Sequence, residues 1–500
     1  MGISRINIPT YGYCTPSPQH LPLHRRQIKR NHIYNNQIRM KKIKTYIAFA
    51  TVALGLSFSS CSENEETIDW NGIELKNTEL KNVLQQKGFT FNEAGRLVQD
   101  DKVKSTTTLD LSNCNLSDIS GLEVFPKLTD INLSDNKFTY SFDFSILPGT
   151  VTSVDLTGNE IYEYPGLVNI KTEENGDETV TVQRKLTKLL LPEAAKYNCV
   201  EIPTYFANSK ETDMQMENAK GIPAAYTTLR EVPDDNVRAI LKELFPSMFK
   251  EDNIDISKRL VVASEKSKNI SISPKKTVGS EAVEITSVEG FEYIAMNKGY
   301  EGAQISISAS KSCLIPYLKL GSTFTAYITD NVSTPNLDIS NAVNLCLIQI
   351  TNDAELDKLD LSNCRLLGQR DYDLETSPFN NPSIIVLHHC DKLKTFTLPK
   401  KAKMVMMLQL VNLPLLEDID LSGLNFIGST ILGRLPKSEI KYFDYTRWDG
   451  FGKAAFSITE EVFQQAGTKA FLEKYHSNLY YEYIDSELGL ENFKWKDFYK

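Results

Sequence analysis

The stretch Thr108–Phe138, TLDLSNCNLSDISGLEVFPKLTDINLSDNKF, decides the fold. In Leu109-Asp110-Leu111, Ile131-Asn132-Leu133 and Val154-Asp155-Leu156, two apolar residues flank a polar one. That alternation is a short strand whose outer residues point into a core and whose middle residue faces solvent. Leu111 and Leu133 are 22 residues apart and Leu133 and Leu156 are 23 apart, so the strands stack as successive coils of one array. Cys114, Asn136 and Asn159 each follow the second inward residue by three. At that turn an amide side chain can satisfy backbone groups of adjacent coils, and a thiol fits the same slot as a small weak donor.

The hexapeptide LDLSNC occurs twice, at Leu109–Cys114 and at Leu359–Cys364. The run around its first copy resembles the leucine-rich repeat, L-x-x-L-x-L-x-x-N/C-x-L, and NLSDISGLEVFPKLTDINLSDN is similar to the repeats of internalin-type proteins. The resemblance implies an α/β repeat fold, a leucine-rich-repeat solenoid rich in short strands with an irregular or short-helix convex side. A second block carries triplets at Ile348–Ile350, Leu359–Leu361, Ile385–Leu387, Phe396–Leu398, Leu408–Leu410 and Ile419–Leu421. Ile350 to Leu361, Leu387 to Leu398 and Leu410 to Leu421 each step by 11 residues, with Leu356, Leu393 or Leu416 between. Half-repeats of that length predict two extended segments per coil, one on each side. The longer step from Leu361 to Leu387 makes Gly368–Ser383 a loop leaving the regular surface.

Organisation follows from these blocks. Residues 73–205 form the first with a helical prelude at Glu79–Lys87, 206–226 read as a polar linker, and 341–447 form the second. Residues 227–340 open with a second prelude, Asp234–Phe245, and continue as a β-rich region that is either degenerate repeats or an inserted β domain. The phrases Gly121–Phe125 and Gly290–Ile294 match, as though the blocks were related. Thr172–Asp177 reads as a hairpin turn. The segment FKEDNIDIS after the second prelude lacks the turn glycine and closing glutamate of a calcium loop, and no calcium is expected there. Residues 448–500 hold 13 aromatic residues and are expected to cap the array, with a helix starting in the capping box Ser457/Glu460 and burying Val462, Ala466 and Ala470.

The beginning of the chain speaks of location. Lys41, Lys42 and Lys44, the apolar run Tyr46–Phe58 and the small Ser59 and Ser60 precede Cys61; the run has the length of a secretory signal rather than of a membrane span. This resembles a lipoprotein signal, residues 40–60, implying cleavage between Ser60 and Cys61 and lipid on the Cys61 thiol. The tether that follows, 61–72, opens SENEE, similar to the surface-export signal of lipoproteins in gut-dwelling Gram-negative bacteria. The resemblance implies an outer-membrane lipid anchor facing the cell exterior. Residues 1–39 fit none of this and read as a doubtful extension before a start at Met40.

Composition excludes several functions. Removing the nine basic residues of 1–60 leaves 46 Lys plus Arg against 64 Asp plus Glu, a balance of −18, which argues against nucleic acid as a partner. Beyond residue 60 only His388, His389 and His476 offer imidazoles, and no P-loop, G-x-S-x-G or H-E-x-x-H occurs. No enzyme, metal site or cofactor is expected. The run His388-His389-Cys390 is not read as a metal site, because adjacent side chains diverge and Cys390 falls in the repeat slot. Cys114, Cys199, Cys313, Cys346, Cys364 and Cys390 are expected as buried free thiols.

Binding is expected of the strands' solvent side. Asp110, Asn132 and Asp155 in the first block, with Asp360, Thr397, Gln409 and Asp420 in the second, would form a polar ridge along the concave surface, suited to a protein partner in adhesion. The alternative is a glycan, stacked on an aromatic platform of Trp448, Tyr480, Tyr481, Tyr483 and Trp495.

Overall fold

The structure is a computed structural model and describes residues 69–173, 178–260, 264–274, 282–368, 383–444, 454–484 and 493–494. The triplets of the first block are strands. Thr108–Asp110, Asp130–Asn132, Ser153–Asp155, Lys188–Leu191 and Asp213–Glu217 lie side by side in parallel, and Pro223–Ala225 closes the six-stranded sheet antiparallel. Leu109, Ile131, Val154 and Leu189 stand in register and are buried, and each coil adds an aliphatic side chain to a continuous core. Burying each such side chain contributes about 1.5–3 kcal/mol. The segment 206–226 thus supplies the last two strands of this sheet rather than only a connection.

The second array is a ten-stranded sheet. Its strands are Asn269–Ile272, Gln304–Leu314, Ala326–Ser333, Leu347–Thr351, Ile384–His388, Met404–Val411, Phe426–Gly433, Ala454–Thr459, Leu479–Ile484 and Phe493–Lys494, parallel except for the last. The β-rich stretch before residue 341 therefore holds coils continuous with the later ones. On the far side of the coils run paired short strands: Tyr317–Lys319 with Asn336–Asp338, Lys358–Asp360 with Thr395–Thr397, and Ile419–Asp420 with Ile440–Lys441. The 11-residue step is the distance from one side of a coil to the other. In the first array Thr139–Ser141 and Glu160–Glu163 form the equivalent pair.

Both arrays start in the same way. Asn77 caps the helix Thr78–Gln86 by accepting from the Leu80 N–H, and Asp234 caps Asp235–Leu244 through Asn236 and Val237. Gly121 and Gly290, at φ +107° and +125°, then lead into short helices at Leu122–Val124 and Phe291–Ala295. A Cβ at Gly121 would press on Leu75, and one at Gly290 on Val232 and Leu241. Only glycine reaches this backbone conformation while lying so close to the prelude. The matching phrases mark one packing solution used twice.

The far end departs from expectation in detail. Ser457 lies within the strand Ala454–Thr459, Thr459 takes the cap position, and the helical segment breaks at Gln465 into Glu460–Gln464 and Ala466–Tyr475. The break rotates the second helix, so Val462, Thr468, Phe471 and Leu472 are buried while Ala466 and Ala470 are exposed. Phe471 stacks on Tyr442 at 4.5 Å between ring centroids and touches Phe443, Phe456 and Tyr475. These aromatics pack the end of the core. The chain is thus a repeat array followed by a larger β-rich repeat region and an aromatic cluster. Strands Val168–Thr172 and Glu178–Val182 form the hairpin expected around Thr172–Asp177; the turn residues 174–177 lie outside the described residues, as does most of the loop Gly368–Ser383.

Candidate interaction faces

The turn that ends each strand is built from the repeat slot. In the first array Asn136 donates through Nδ2 to the carbonyls of Leu111, Leu133 and Ser134, at 2.8–3.1 Å, and its Oδ1 accepts from the N–H groups of Cys114 and Leu116. Asn159 repeats the pattern with Leu133, Leu156, Thr157 and Phe138. The residue before each slot, Asn113, Asp135 or Gly158, has left-handed φ. In the second array Asn352, His389, Asn412 and Arg434 take that conformation, and the slot holds Asp353, Cys390, Leu413 and Leu435.

The expected polar ridge is not one ridge. Asp110, Asn132 and Asp155 do stand in register on the six-stranded sheet. Asp360 and Thr397 pair with each other on the far side of the second array, and Asp420 lies in another far-side pair, whereas Gln409 lies on the ten-stranded sheet. The two copies of LDLSNC occupy opposite sides of their coils. The reason is physical: both sides of a coil bury alternate residues, and alternation alone does not tell them apart.

The aspartates also have local work. Asp110, Asn132, Asp155, Asp360 and Asp420 each accept through Oδ1 from the N–H two residues on, in Ser112, Ser134, Thr157, Ser362 and Ser422. The D-x-S pattern is a turn-forming device in which the side chain bonds the backbone. The Ser112 N–H, with its hydroxyl, holds the Asp110 carboxyl below the usual range, and the Ser422 hydroxyl and N–H do the same for Asp420. For Asp360, burial opposes the shift but the Ser362 bonds and Lys358 outweigh it.

The two outward faces differ in chemistry. On the first sheet Asp130, Ser153, Lys188 and Asp213 accompany the turn residues, giving a polar, mostly acidic face. On the second, one register row runs Leu347, Ile384, Met407, Ser429, Ala455 and Tyr480, and the next runs Gln349, Val386, Gln409, Ile431 and Ser457, of which Val386, Ile431 and Ser457 are buried. Val411 and Ile431 make a small apolar contact there, outside the main core. His388 lies on this face; burial, and then neighbouring His389, push its pKa down to about 4, and it is neutral at ordinary pH. His389 turns the chain with Nδ1 2.7 Å from the Asn412 Nδ2, and Cys390 is buried in the slot, so the three residues of the HHC run point to different places.

The arrays meet at a seam that sequence reasoning missed. Tyr162 stacks on Tyr317 at 4.8 Å, and Tyr162, Tyr197 and Cys199 of the first array enter the core of the second. The Tyr140 hydroxyl donates to Asp338 at 2.7 Å, the Tyr317 hydroxyl donates to Glu163 at 2.9 Å, and Lys319 pairs with Glu163 and Asp338. Glu178 reaches across to Arg259 and Lys298. A cleft of about 330 Å³ opens here, lined by Glu163, Tyr197, Asn198, Lys298, Tyr317 and Lys319 among others. Several of its polar groups are already engaged: Asn198 donates to the Tyr162 carbonyl and Glu201 and accepts from the Ile202 N–H. The cleft is a consequence of the seam.

Of the proposed aromatic platform, Tyr480 is 56% exposed at the end of an outward row. Tyr481 and Tyr483 belong to the same strand, Leu479–Ile484, while Trp448 and Trp495 lie outside the described residues, as do Ser60 and Cys61. Cys199, Cys313, Cys346, Cys364 and Cys390 are buried free thiols and Cys114 is half-buried. Among the described residues no helix is long and apolar enough to cross a membrane.

No curated protein matches the chain. The family described as Leucine Rich Repeat matches residues 105–125, the segment holding the first strand, the Cys114 slot and the Gly121 turn, and over that segment the chain is similar to it.

Proposed function

We propose that this protein is a non-enzymatic binding protein whose arrays, built as leucine-rich repeats throughout, present two extended faces to a protein partner. A repeat architecture of this kind is compatible with protein binding in general. The observation that carries the reading is the contrast between an acidic face on the six-stranded sheet and an apolar, amide-bearing face on the ten-stranded one. Protein interfaces combine an apolar centre with a polar surround, and broad sheets supply area without a deep pocket. Cys61, acylated, would hold these faces at the outer membrane, with the acidic tether directing them outward and adhesion as the role.

Protease shaving of intact cells, followed by capture of partners on the released chain, tests the reading. Surface exposure predicts loss of the protein on shaving; survival would place it on the periplasmic side and end the adhesion reading. Met407→Glu on the apolar face is expected to abolish capture, and Asp130→Lys to weaken it. Exposed Tyr480 is what favours the glycan alternative. Glycan binding lost in Tyr480→Ala, with protein capture absent, would replace the first reading by the second.

A further inference from the structure

The seam contains a carboxyl group that none of the contacts described so far uses. Glu292 lies in the short helix Phe291–Ala295, every residue of which is buried, and is itself 0% exposed. Its Oε2 accepts from the Gly290 N–H at 2.8 Å, and its Oε1 is buried with no hydrogen-bond partner among the described residues. Around it stand groups from two segments. Its own segment supplies Glu289 and Tyr293 and the first array supplies Lys196, Tyr197 and Cys199; Glu193, Glu201 and Arg230, of the strand Leu229–Arg230, act on these same neighbours. Tyr197 and Tyr293 stack across the boundary at 6.0 Å.

Among the described residues no cation forms an ion pair with Glu292. Lys196 bridges Glu193 at 2.8 Å and Glu289 at 3.0 Å, and the Tyr293 hydroxyl donates to Glu289. Arg230 directs its N–H groups to the carbonyls of Lys196, Thr227 and Leu229 and to the Tyr226 hydroxyl, and none to Glu292. An ionised Glu292 would be a buried charge beside a second carboxylate, an arrangement that costs far more than the neutral acid.

We propose that Glu292 is a proton-controlled latch on the seam: the two arrays are held together while it is neutral, and its ionisation loosens the contact between Tyr197 and Tyr293 and with it the relative placement of the two faces. This does not depend on what the faces bind. Burial first, and Glu289 second, push the Glu292 carboxyl up to about 8. A closed seam then keeps the proton over a range in which an open seam, with the carboxyl near its ordinary value of 4.5, has lost it. Closure is therefore favoured most below that ordinary value and weakens as pH rises, until the closed form also ionises.

Hydrogen exchange of the full chain between pH 5 and 9.5 tests this, each rate divided by the intrinsic exchange rate at that pH. The amides of Phe291–Ala295 and of residues 195–199 are expected to lose protection about tenfold per pH unit up to about 8 and then to level off. Glu292→Gln should flatten the profile with the seam closed. Glu289→Gln should keep the slope but bring the plateau to lower pH. A flat profile in the unaltered chain, or the same slope in Glu292→Gln, overturns the proposal. Should Glu292→Gln fail to fold, a plateau unmoved by Glu289→Gln overturns it equally.

Discussion

The same turn is built in two ways. In the first array Asn136 and Asn159 knit neighbouring coils through five and four hydrogen bonds. In the second the slot passes from Asp353, which accepts from the N–H groups of Thr334, Glu355 and Leu356, to Cys390 and then to Leu413 and Leu435. An amide binds the stack by direction, whereas an aliphatic side chain binds it by area. One device is common to both arrays: the left-handed residue before the slot bonds across coils, Asn113 to the Ser134 carbonyl and Asp135 to that of Thr157 in the first, Asn352 to His388, His389 to Val411 and Asn412 to Gly433 in the second.

The largest break in this comparison should come from moving one solution into the other array. Asn136→Leu leaves three carbonyls and two N–H groups of the first array without their partner, and unsatisfied buried polar groups cost about 1–3 kcal/mol each when the site cannot relax. A loss of about 3–5 kcal/mol is expected, read as a lowered urea midpoint. Cys390→Ala removes only a small side chain and weak S–H contacts, and about 1 kcal/mol is expected. Equal midpoints for the two variants would mean that the asparagines do not carry the first array.

The seam sharpens the comparison next. Tyr317→Ala removes a ring that stacks on Tyr162 and touches Tyr140, together with a hydroxyl bound to Glu163. About 3 kcal/mol is expected. Because the contact joins the two cores, calorimetry should show one unfolding transition separating into two. A single transition merely shifted to lower temperature would show that the arrays are coupled elsewhere, through Glu178 or Glu292.

How much of this was legible depends on range. The strands and slots of residues 109–159 follow from spacing, because each inward residue and its turn are neighbours in sequence. The strand Gln304–Leu314 buries Ile305, Ile307 and Ala309 while Ser306 and Ser308 face outward, yet it has no slot amide to announce a coil, so its sequence alone does not separate a degenerate repeat from an inserted β domain. The side of the coil was hidden as well, since LDLSNC is identical in both places. The seam was least visible: Tyr140 and Asp338 are 198 residues apart, and Tyr317 and Glu163 are 154 apart. No local period encodes such a pair. Of the binding residues chosen from sequence, the aspartates were found by their place in the pattern, and the structure shows that each also bonds the turn that follows it.

The smallest effect separates turn chemistry from recognition. Asp110→Asn keeps an acceptor for the Ser112 N–H but removes the charge, whereas Asp110→Ala removes both. If the side chain serves the turn, Ala costs about 0.5–1 kcal/mol and Asn almost nothing, by analogy with caps that bond the same backbone groups. The pH dependence has the opposite sign to that of Glu292. A carboxyl held below its ordinary value gives its stabilisation above that value and loses it as pH falls through the lowered one, so Ala and the unaltered chain should converge in acid. A partner that reads the charge would discriminate differently, tolerating neither Asn nor Ala while stability barely moves. Measuring midpoint and partner capture on the same two variants decides whether the outward aspartates of the first array are a binding surface or the hinges of its turns.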